Sequence, residues 1–344
     1  KGTSIQVVET DSEMLRWPWN TVLKNDDIIV VWEQKVDASN ENEEIIYAQR
    51  FNSAGVKQGS SFMVNDNTNV ANYNTIGITA LENGGFIIVY RKQLNSGDWK
   101  LAFQRFSADG TKVGSETIID AAGTPRILSF SDDSFVIAWH ENDGGYTIKL
   151  QRFDSNGVKV GSEIPVNTYN TGNQFLGSLD KFSDDSFIVV YYSAAHNQVA
   201  DDADDVYFQR FDSNANKIGS ETLMNERVDS YQGQSFVKVL TDDSFIVTWY
   251  DAWPNNQHNI AGQLYTSSGV KIGTNFKLSS SDGTTTFEDN PWIAMLSNGN
   301  LIFVWQSAPS TDTNTKKVQL RIADVDTTCV YGCTDDSYKE YSSA

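Results

Sequence analysis

Residues 135–167 read FVIAWHENDGGYTIKLQRFDSNGVKVGSEIPVN, and they contain most of the unit from which the chain is built. The opening apolar run ends in Trp139, is too short for a helix and has the composition of a strand buried on both faces. After a polar connection come Gln151-Arg152-Phe153, the turn residues Asn156-Gly157 and a last short segment. This stretch therefore predicts strands B, C and D of a small antiparallel sheet.

The same unit recurs six times along the chain. Its B-strand runs, each ending in an aromatic residue, are Ile28–Trp32, Phe86–Tyr90, Phe135–Trp139, Phe187–Tyr191, Phe245–Trp249 and Leu301–Trp305. Each run follows another apolar segment, strand A, and a tight turn of Asn, Asp or Gly, which are residues that tolerate a positive φ. Four-stranded units repeated about every 50 residues are typical of propeller blades. The predicted fold is all-β, a six-bladed β-propeller with four-stranded antiparallel blades.

The two ends of the chain complement each other in this scheme. The sixth copy stops after its C strand, Val318–Ile322, whereas the other copies continue into a strand D. A spare strand-like segment, Ser4–Glu9, precedes the first A strand. We therefore predict that the ring is closed by the N-terminal strand, which removes an exposed sheet edge. The predicted domains are the propeller, residues 1–326, and a C-terminal tail, residues 327–344.

The composition excludes several classes of function. The formal net charge of −19 argues against nucleic acid as a partner, because a phosphate-binding surface needs clustered Lys and Arg. No apolar run approaches membrane-spanning length, so we expect no membrane insertion. The two cysteines, Cys329 and Cys333, both lie in the predicted tail, and their disulfide pairing stays open.

Candidate ligand-binding residues lie where the long B–C and D–A connections are predicted, because variable loops on a rigid scaffold usually carry binding. Aromatic plates beside amide groups could stack on a sugar ring, and the alternative is packing between blades. The candidates in the first half of the chain are Trp17, Trp19 and Arg126. Those in the second half are Trp292 and, in the fifth B–C loop, Trp253 with His258.

Oxygen-rich loops suggest a metal site as a second option. The residues Asp201, Asp202, Asp204 and Asp205 form an acidic run in the fourth B–C loop. Such a run can hold Ca²⁺, although it lacks the spacing of a calcium loop, and the alternative is solvated surface charge. All three histidines, His140, His196 and His258, are predicted in B–C loops. No other cofactor is suggested.

The sequence offers little for catalysis. The recurring S-x-D-x-G-x-x-W turn of six-bladed sialidases is absent, since Ser131-Asp132-Asp133-Ser134-Phe135 lacks the glycine. No arginine cluster for a carboxylate is evident, because the repeated arginines occupy equivalent C-strand positions. No nucleophile motif or zinc-ligand spacing appears either. We therefore expect that the protein is not an enzyme.

The repeat, QRFDSNGVKVGSEIPVN at 151–167 together with DDSFVIAWHEN at 132–142, resembles repeats of large secreted bacterial surface and adhesin-like proteins. The tail segment Gly332-Cys333-Thr334-Asp335 resembles the start of the GCTD-type cysteine repeats of extracellular proteins. These resemblances imply a secreted or cell-surface protein whose tail begins a stalk or linker module. They also imply a non-catalytic scaffold for adhesion or assembly, with other extracellular chains or copies of itself as partners. The alternatives are a carbohydrate-binding lectin and, more distantly, a glycan-processing enzyme.

Overall fold

The computed structural model describes residues 5–8, 15–35, 44–66, 76–94, 96–142, 146–169, 172–194, 204–226, 231–252, 259–279, 286–296, 298–309 and 316–323. The chain forms two compact units. The first comprises residues 1–144 and 148–165, and the second comprises residues 145–147 and 166–344. Each unit is described by itself below.

The first unit consists of three antiparallel sheets. Its strands are β1 (Leu15–Val22), β2 (Ile28–Lys35), β3 (Glu44–Phe51), β4 (Lys57–Met63), β5 (Ile76–Ala80), β6 (Phe86–Gln93), β7 (Trp99–Phe106), β8 (Lys112–Ile119), β9 (Thr124–Ser129), β10 (Phe135–Asn142), β11 (Tyr146–Phe153) and β12 (Lys159–Pro165). Each sheet takes four consecutive strands in chain order, which correspond to strands A, B, C and D of the predicted blades.

The second unit repeats this arrangement. Its strands are β13 (Gln174–Lys181), β14 (Phe187–Ala194), β15 (Asp204–Phe211), β16 (Lys217–Leu223), β17 (Gln232–Val239), β18 (Phe245–Asp251), β19 (Asn259–Tyr265), β20 (Lys271–Lys277), β21 (Thr286–Met295), β22 (Leu301–Pro309) and β23 (Lys317–Ala323). The fourth and fifth sheets have four strands, and the described part of the sixth has three, β21-β22-β23. The six antiparallel blades confirm the predicted all-β, six-bladed propeller class.

The tight turns form where the sequence predicted them. Asp133, Asp185 and Asp243 adopt φ angles of 62° to 64° in the A–B turns, a left-handed conformation that Asp tolerates better than most residues. We call the end of each sheet that carries the A–B and C–D turns the short-turn end. The end that carries the B–C and D–A connections is the long-loop end.

The Gln-Arg-Phe motif is explained by the geometry of strands C and D. In the second sheet the buried Gln104 amide donates to the carbonyl oxygens of Arg105, Val113 and Gly114 at 2.9, 3.4 and 3.2 Å. Gly114 has a φ of +71° at the irregular pairing between β7 and β8, a conformation that favours glycine. The neighbouring Arg105 donates to the carbonyl of Asn156 in the next C–D turn at 2.6 Å. In the second sheet the motif therefore holds the bulge in place and ties this sheet to the third.

The aromatic residue that ends each B-strand run belongs to the core. Trp139 and Trp249 are fully buried, and Trp32 and Trp305 are also buried. At the other end of the strand, Phe135 stacks on its cross-strand partner Phe153 with ring centroids 5.0 Å apart. Each of these large side chains buries much apolar area and so stabilises its sheet.

The closing N-terminal strand is not observed. Residues 5–8 are described and form no strand. Ile5 instead lies against the C–D turn of the first sheet, where its Cδ1 atom occupies the space that a Cβ on Gly55 would need. Phe62 of β4 contacts Gly110 of the next sheet in the same manner. The side chain of Ile5 is thus placed like that of a D-strand residue, but its backbone does not pair.

No helix within the described ranges is long and apolar enough to cross a membrane. The predicted boundary at residue 326 and the tail 327–344, with Cys329 and Cys333, lie outside the described residues. The domain and disulfide predictions for this part of the chain therefore stay predictions.

Candidate functional site

A cavity of about 240 Å³ opens at the long-loop end of the second unit. It is lined by Tyr192, Asp204, Tyr231, Gln232, Gly233, Gln234 and Tyr250. Tyr192 and Tyr250 come from the ends of the B strands β14 and β18, and Asp204 begins the C strand β15. The remaining residues lie at or just before the start of the A strand β17. We call this cavity the tyrosine pocket.

A hydrogen-bonded chain of buried side chains supports the pocket. Asn225 donates to Asp205 Oδ1 at 2.6 Å and to Gln232 Oε1 at 3.2 Å. Gln232 in turn donates to Asp251 Oδ1 at 3.2 Å. The side-chain oxygen of Asn225, Oδ1, accepts a hydrogen bond from the backbone N–H of Val206 at 3.0 Å, so this side chain also anchors the start of β15. Satisfied buried networks of this kind fix side-chain positions.

One wall of the pocket is built on an unusual backbone. Gln234 has a φ of 50°, at a register shift in β17 between Gly233 and Phe236. Its side-chain oxygen accepts the backbone N–H of Asn290 at 2.8 Å, and Asn290 itself has a φ of 54°. A non-glycine residue held in the left-handed region stores strain, and such residues concentrate at functional sites.

The tyrosine rings are held at different depths. Tyr192 stacks on Phe175 with ring centroids 4.9 Å apart, and the backbone of Gly233 packs against the Tyr192 ring. Tyr231 is 48% exposed. Tyrosine side chains can offer both apolar ring surface and a hydrogen-bonding hydroxyl group to a ligand.

The charge around the pocket is negative and partly desolvated. Burial, and then the neighbouring charge of Asp205, raise the pKa of Asp204 to about 6. Burial and the charges of Asp251, Asp289 and Asp204 raise the pKa of Tyr250 to about 12. A carboxyl group that is half protonated near pH 6 can donate a proton, as a general acid must. Burial likewise raises the pKa of Tyr192 to about 12, so Tyr192 and Tyr250 stay neutral and can donate hydrogen bonds.

The raised pKa of Asp204 makes stability depend on pH. Its folded pKa of about 6 lies above the usual value of 3.8 for an aspartate, so the folded state binds more protons, and stability falls as the pH rises from about 4 to about 6. Asp204→Asn should remove this loss. We expect the variant to be about 1–2 kcal/mol more stable than wild type at pH 7, a figure reduced for the partial exposure of the carboxyl group.

The measurement is thermal or urea unfolding of both proteins from pH 3.5 to 7. The curves should converge below pH 4, where Asp204 is protonated in the folded and the unfolded state. An Asn variant that is no more stable than wild type at pH 7 would show that Asp204 carries no desolvation penalty.

Two of the three predicted binding residues in the first unit have described side chains. Trp19 lies on β1, and the Arg126 guanidinium lies over its ring, 5.2 Å from the centroid. The structure thus brings these two residues together. Trp17 is on the same strand, but its side chain lies outside the described residues. His140 lies in strand β10 rather than in the predicted B–C loop.

In the second unit, Trp292 is 39% exposed and packs on Phe236 with ring centroids 4.6 Å apart. Trp253, His196 and His258 lie outside the described residues, so predictions on them stay untested.

The calcium prediction also stays a prediction. Asp201 and Asp202 lie outside the described residues, whereas Asp205 is buried and accepts a hydrogen bond from Asn225. Asp204 lines the tyrosine pocket. Over the described ranges, no group of three or more His, Cys, Asp or Glu side chains is arranged to hold a metal ion.

The sequence interpretation missed the residues that follow the B-strand aromatics. In the six copies this position holds Glu33, Arg91, His140, Tyr192, Tyr250 and Gln306. The aromatic position before it hardly varies, whereas this one differs in charge and size between most copies. The residue after each B-strand aromatic lies toward the long-loop end of a rigid strand. Variation at this position between the copies could therefore have indicated a binding site from the sequence.

Comparison with known proteins places the fold among solved structures. No protein-family model matches the chain, and no curated protein does. An unknown-function protein from Dyadobacter fermentans is 9% identical, with a TM-score of 0.61 over 90% of this chain and 94% of that one. The α-L-arabinofuranosidase Arb93A from Fusarium graminearum is 9% identical, with a TM-score of 0.60 over 91% and 94%. The NanB sialidase from Streptococcus pneumoniae is 8% identical, with a TM-score of 0.62 over 93% and 70%.

These comparisons correct the expected function. The prediction of a non-catalytic scaffold for adhesion or assembly, and with it that of a protein that is not an enzyme, is wrong, because similar structures with a stated activity are enzymes that act on sugars. At such low identity the likeness itself shows the fold alone. The activity is therefore argued from the tyrosine pocket.

Proposed function

We propose that this protein is a glycan-processing enzyme that binds a saccharide in the tyrosine pocket and hydrolyses a glycosidic bond there. The observation that carries the proposal is the half-buried carboxyl of Asp204, with a pKa of about 6, in a cavity lined by three tyrosines. The fold is shared with an arabinofuranosidase and a sialidase, which supports a saccharide as substrate.

The chemistry needs two carboxyl groups with different protonation states. Protonated Asp204 donates its proton to the glycosidic oxygen as the bond to the anomeric carbon breaks. The second carboxylate takes a proton from the water that forms the new bond at that carbon. We assign this role to Asp251, which lies behind the pocket wall and accepts a hydrogen bond from the lining residue Gln232 at 3.2 Å. One bond to oxygen breaks and one forms, which gives two shorter saccharides.

The pocket lining suits saccharide binding independently of the chemistry. Tyr250 offers aromatic surface for the apolar side of a sugar ring, and Tyr192, Tyr231 and Gln234 offer polar groups for its hydroxyls. The second candidate function is carbohydrate binding without hydrolysis. The exposure of Tyr231, 48%, favours it, because hydrolysis benefits from a lining that excludes water.

We also propose that the protein acts outside the cell, with glycans as its partners. The resemblance of its repeats to those of secreted surface proteins supports this location. The strongly acidic composition favours solubility in salty surroundings.

The test is an assay of binding and hydrolysis against arabino-, xylo-, gluco- and galacto-oligosaccharides. We expect wild type to shorten at least one of them, and Tyr250→Ala to weaken its binding by about tenfold or more through loss of ring contact. The matched control is Tyr169→Ala, a half-buried tyrosine of the same unit that does not line the pocket.

If wild type bound an oligosaccharide but formed no product, the proposed function would be carbohydrate binding and not hydrolysis. If Tyr250→Ala and Tyr169→Ala both behaved like wild type, the tyrosine pocket would not be the site.

A further inference from the structure

The tyrosine pocket combines aromatic side chains with a carboxyl group. Its described lining consists of three tyrosines, two glutamines, a glycine and Asp204, and it includes no lysine or arginine. Tyr231 is 48% exposed, so part of its side chain is accessible to a ligand. Above the pKa of Asp204, the described lining therefore carries a negative charge and no positive one.

Strand pairing places Asp204 beside Tyr192. Between β14 and β15, Asp204 pairs with Ala194 and Val206 pairs with Tyr192. Tyr192 and Asp204 are therefore diagonal neighbours on one face of the fourth sheet. The backbone of Gly233 packs against the Tyr192 ring from the fifth sheet. The cavity is thus bounded by this face of the fourth sheet and by the start of β17.

The backbone that carries Tyr231 is held by the neighbouring strand β18. Gln232, the first residue of β17, pairs with Asp251. The carbonyl oxygen of Tyr231 accepts a hydrogen bond from the backbone N–H of Ala252 at 2.9 Å. Tyr231 is therefore presented at a fixed place beside the end of β18. A tyrosine in a fixed position offers contact area to a ligand and loses little conformational entropy on binding.

The charge of Asp204 is not compensated within the described part of the chain. None of the described residues donates a hydrogen bond to its carboxyl group, and no described Lys or Arg pairs with it. Burial, and then the charge of Asp205, raise the pKa of Asp204 to about 6. At pH 7 most of this carboxyl group is ionised although it is partly desolvated. A positively charged ligand in the cavity would offset the cost of that charge.

We propose that the tyrosine pocket binds an organic ammonium group. Asp204 supplies the opposite charge, and tyrosine rings attract a cation through the negative faces of their π systems. Aromatic side chains of this kind are a common means of recognising quaternary ammonium ligands. The shared chemistry is the ammonium group, which choline carries as a trimethylammonium group and an amino sugar carries as a protonated amine.

The inference rests on the site of the proposed function, the tyrosine pocket, but not on hydrolysis there. An ammonium group beside Asp204 competes with the proton that a general acid needs, so such a ligand is expected to inhibit hydrolysis. The test measures binding alone. A protein that hydrolyses saccharides but excludes ammonium ligands would keep its proposed function and lose this inference. A protein that binds them but forms no product would do the reverse.

The experiment is a calorimetric titration of the whole protein at pH 7 and low salt with two matched pairs of ligands. Choline and 3,3-dimethyl-1-butanol have the same shape, and glucosamine and N-acetylglucosamine share a sugar ring, but only the first of each pair is charged. We expect the charged member to bind about tenfold or more tightly than its neutral partner, and to bind more weakly as salt increases. A preference in the choline pair identifies a quaternary ammonium ligand, and a preference confined to glucosamine identifies an amino sugar.

Variants separate the charge from the ring. Asp204→Asn should weaken binding of the charged ligand about tenfold or more, and Tyr231→Leu about threefold or more, whereas Tyr231→Phe keeps the ring and should bind within about twofold of wild type. The controls are Asp212→Asn and Tyr169→Leu, which lie outside the described lining, and a melting curve establishes that each variant is folded. No preference for the charged member of either pair, or binding unchanged in Asp204→Asn or in Tyr231→Leu, would overturn the proposal.

Discussion

Asp204→Asn should reduce hydrolysis of the best saccharide by about 100-fold or more while it leaves saccharide binding within a few-fold of wild type. Asn keeps the shape of the side chain and can hydrogen-bond a sugar, but it has no proton to give. Removal of a general acid typically costs a factor of about 10² to 10⁴. The measurement is kcat and KM for the variant and for wild type, with binding measured separately.

The pH profile gives the same prediction a second readout. Because Asp204 must be protonated and its pKa is about 6, wild-type kcat/KM should fall as the pH rises above about 6, and this limb should be missing from the residual activity of the variant. Asp212→Asn is the control, since Asp212 accepts two turn N–H groups at 2.9 and 2.8 Å, a role that Asn can keep. A variant at Asp204 with wild-type kcat would exclude it as the acid.

Trp139→Ala should destabilise the protein by about 3–5 kcal/mol, the range for truncation of a large core aromatic. Trp139 is fully buried and packs in a cluster that contains Phe103 and Ile137. The cavity left by the indole can close only partly, because the surrounding strands are held by their own hydrogen bonds. Urea unfolding at pH 7 measures the change in free energy.

The matched variant is Trp292→Ala, since Trp292 is 39% exposed and contributes less buried area. Trp292→Ala should lower the free energy of unfolding by less than half as much as Trp139→Ala does. Equal losses at both positions would mean that the repeated B-strand aromatics are not the main packing residues of the sheets.

The fold could be predicted from the sequence because the same local signals recur in every copy. Each B strand begins at the residue that the apolar run predicted, for example Phe86 and Phe245. Asp133 and its equivalents form the expected tight turns. The N-terminal strand was the exception: the pattern of Ser4–Glu9 predicts a strand, but pairing depends on a partner edge that local pattern does not specify.

The candidate site was less predictable because it depends on which strand ends meet. Tyr192 and Tyr250 lie far apart in sequence and look like extensions of buried strands, yet they line one cavity with Asp204. The pKa of Asp204 is raised mainly by burial. The sequence places Asp204 in an acidic run, which predicts an exposed loop rather than a buried carboxyl group.

The most direct test of the central claim is a crystal structure of the Asp204→Asn variant with an oligosaccharide that wild type shortens. We predict a sugar ring against Tyr192 or Tyr250, with the glycosidic oxygen within hydrogen-bonding distance of residue 204. Saccharide bound only outside the tyrosine pocket, for example at the short-turn end, would contradict the account.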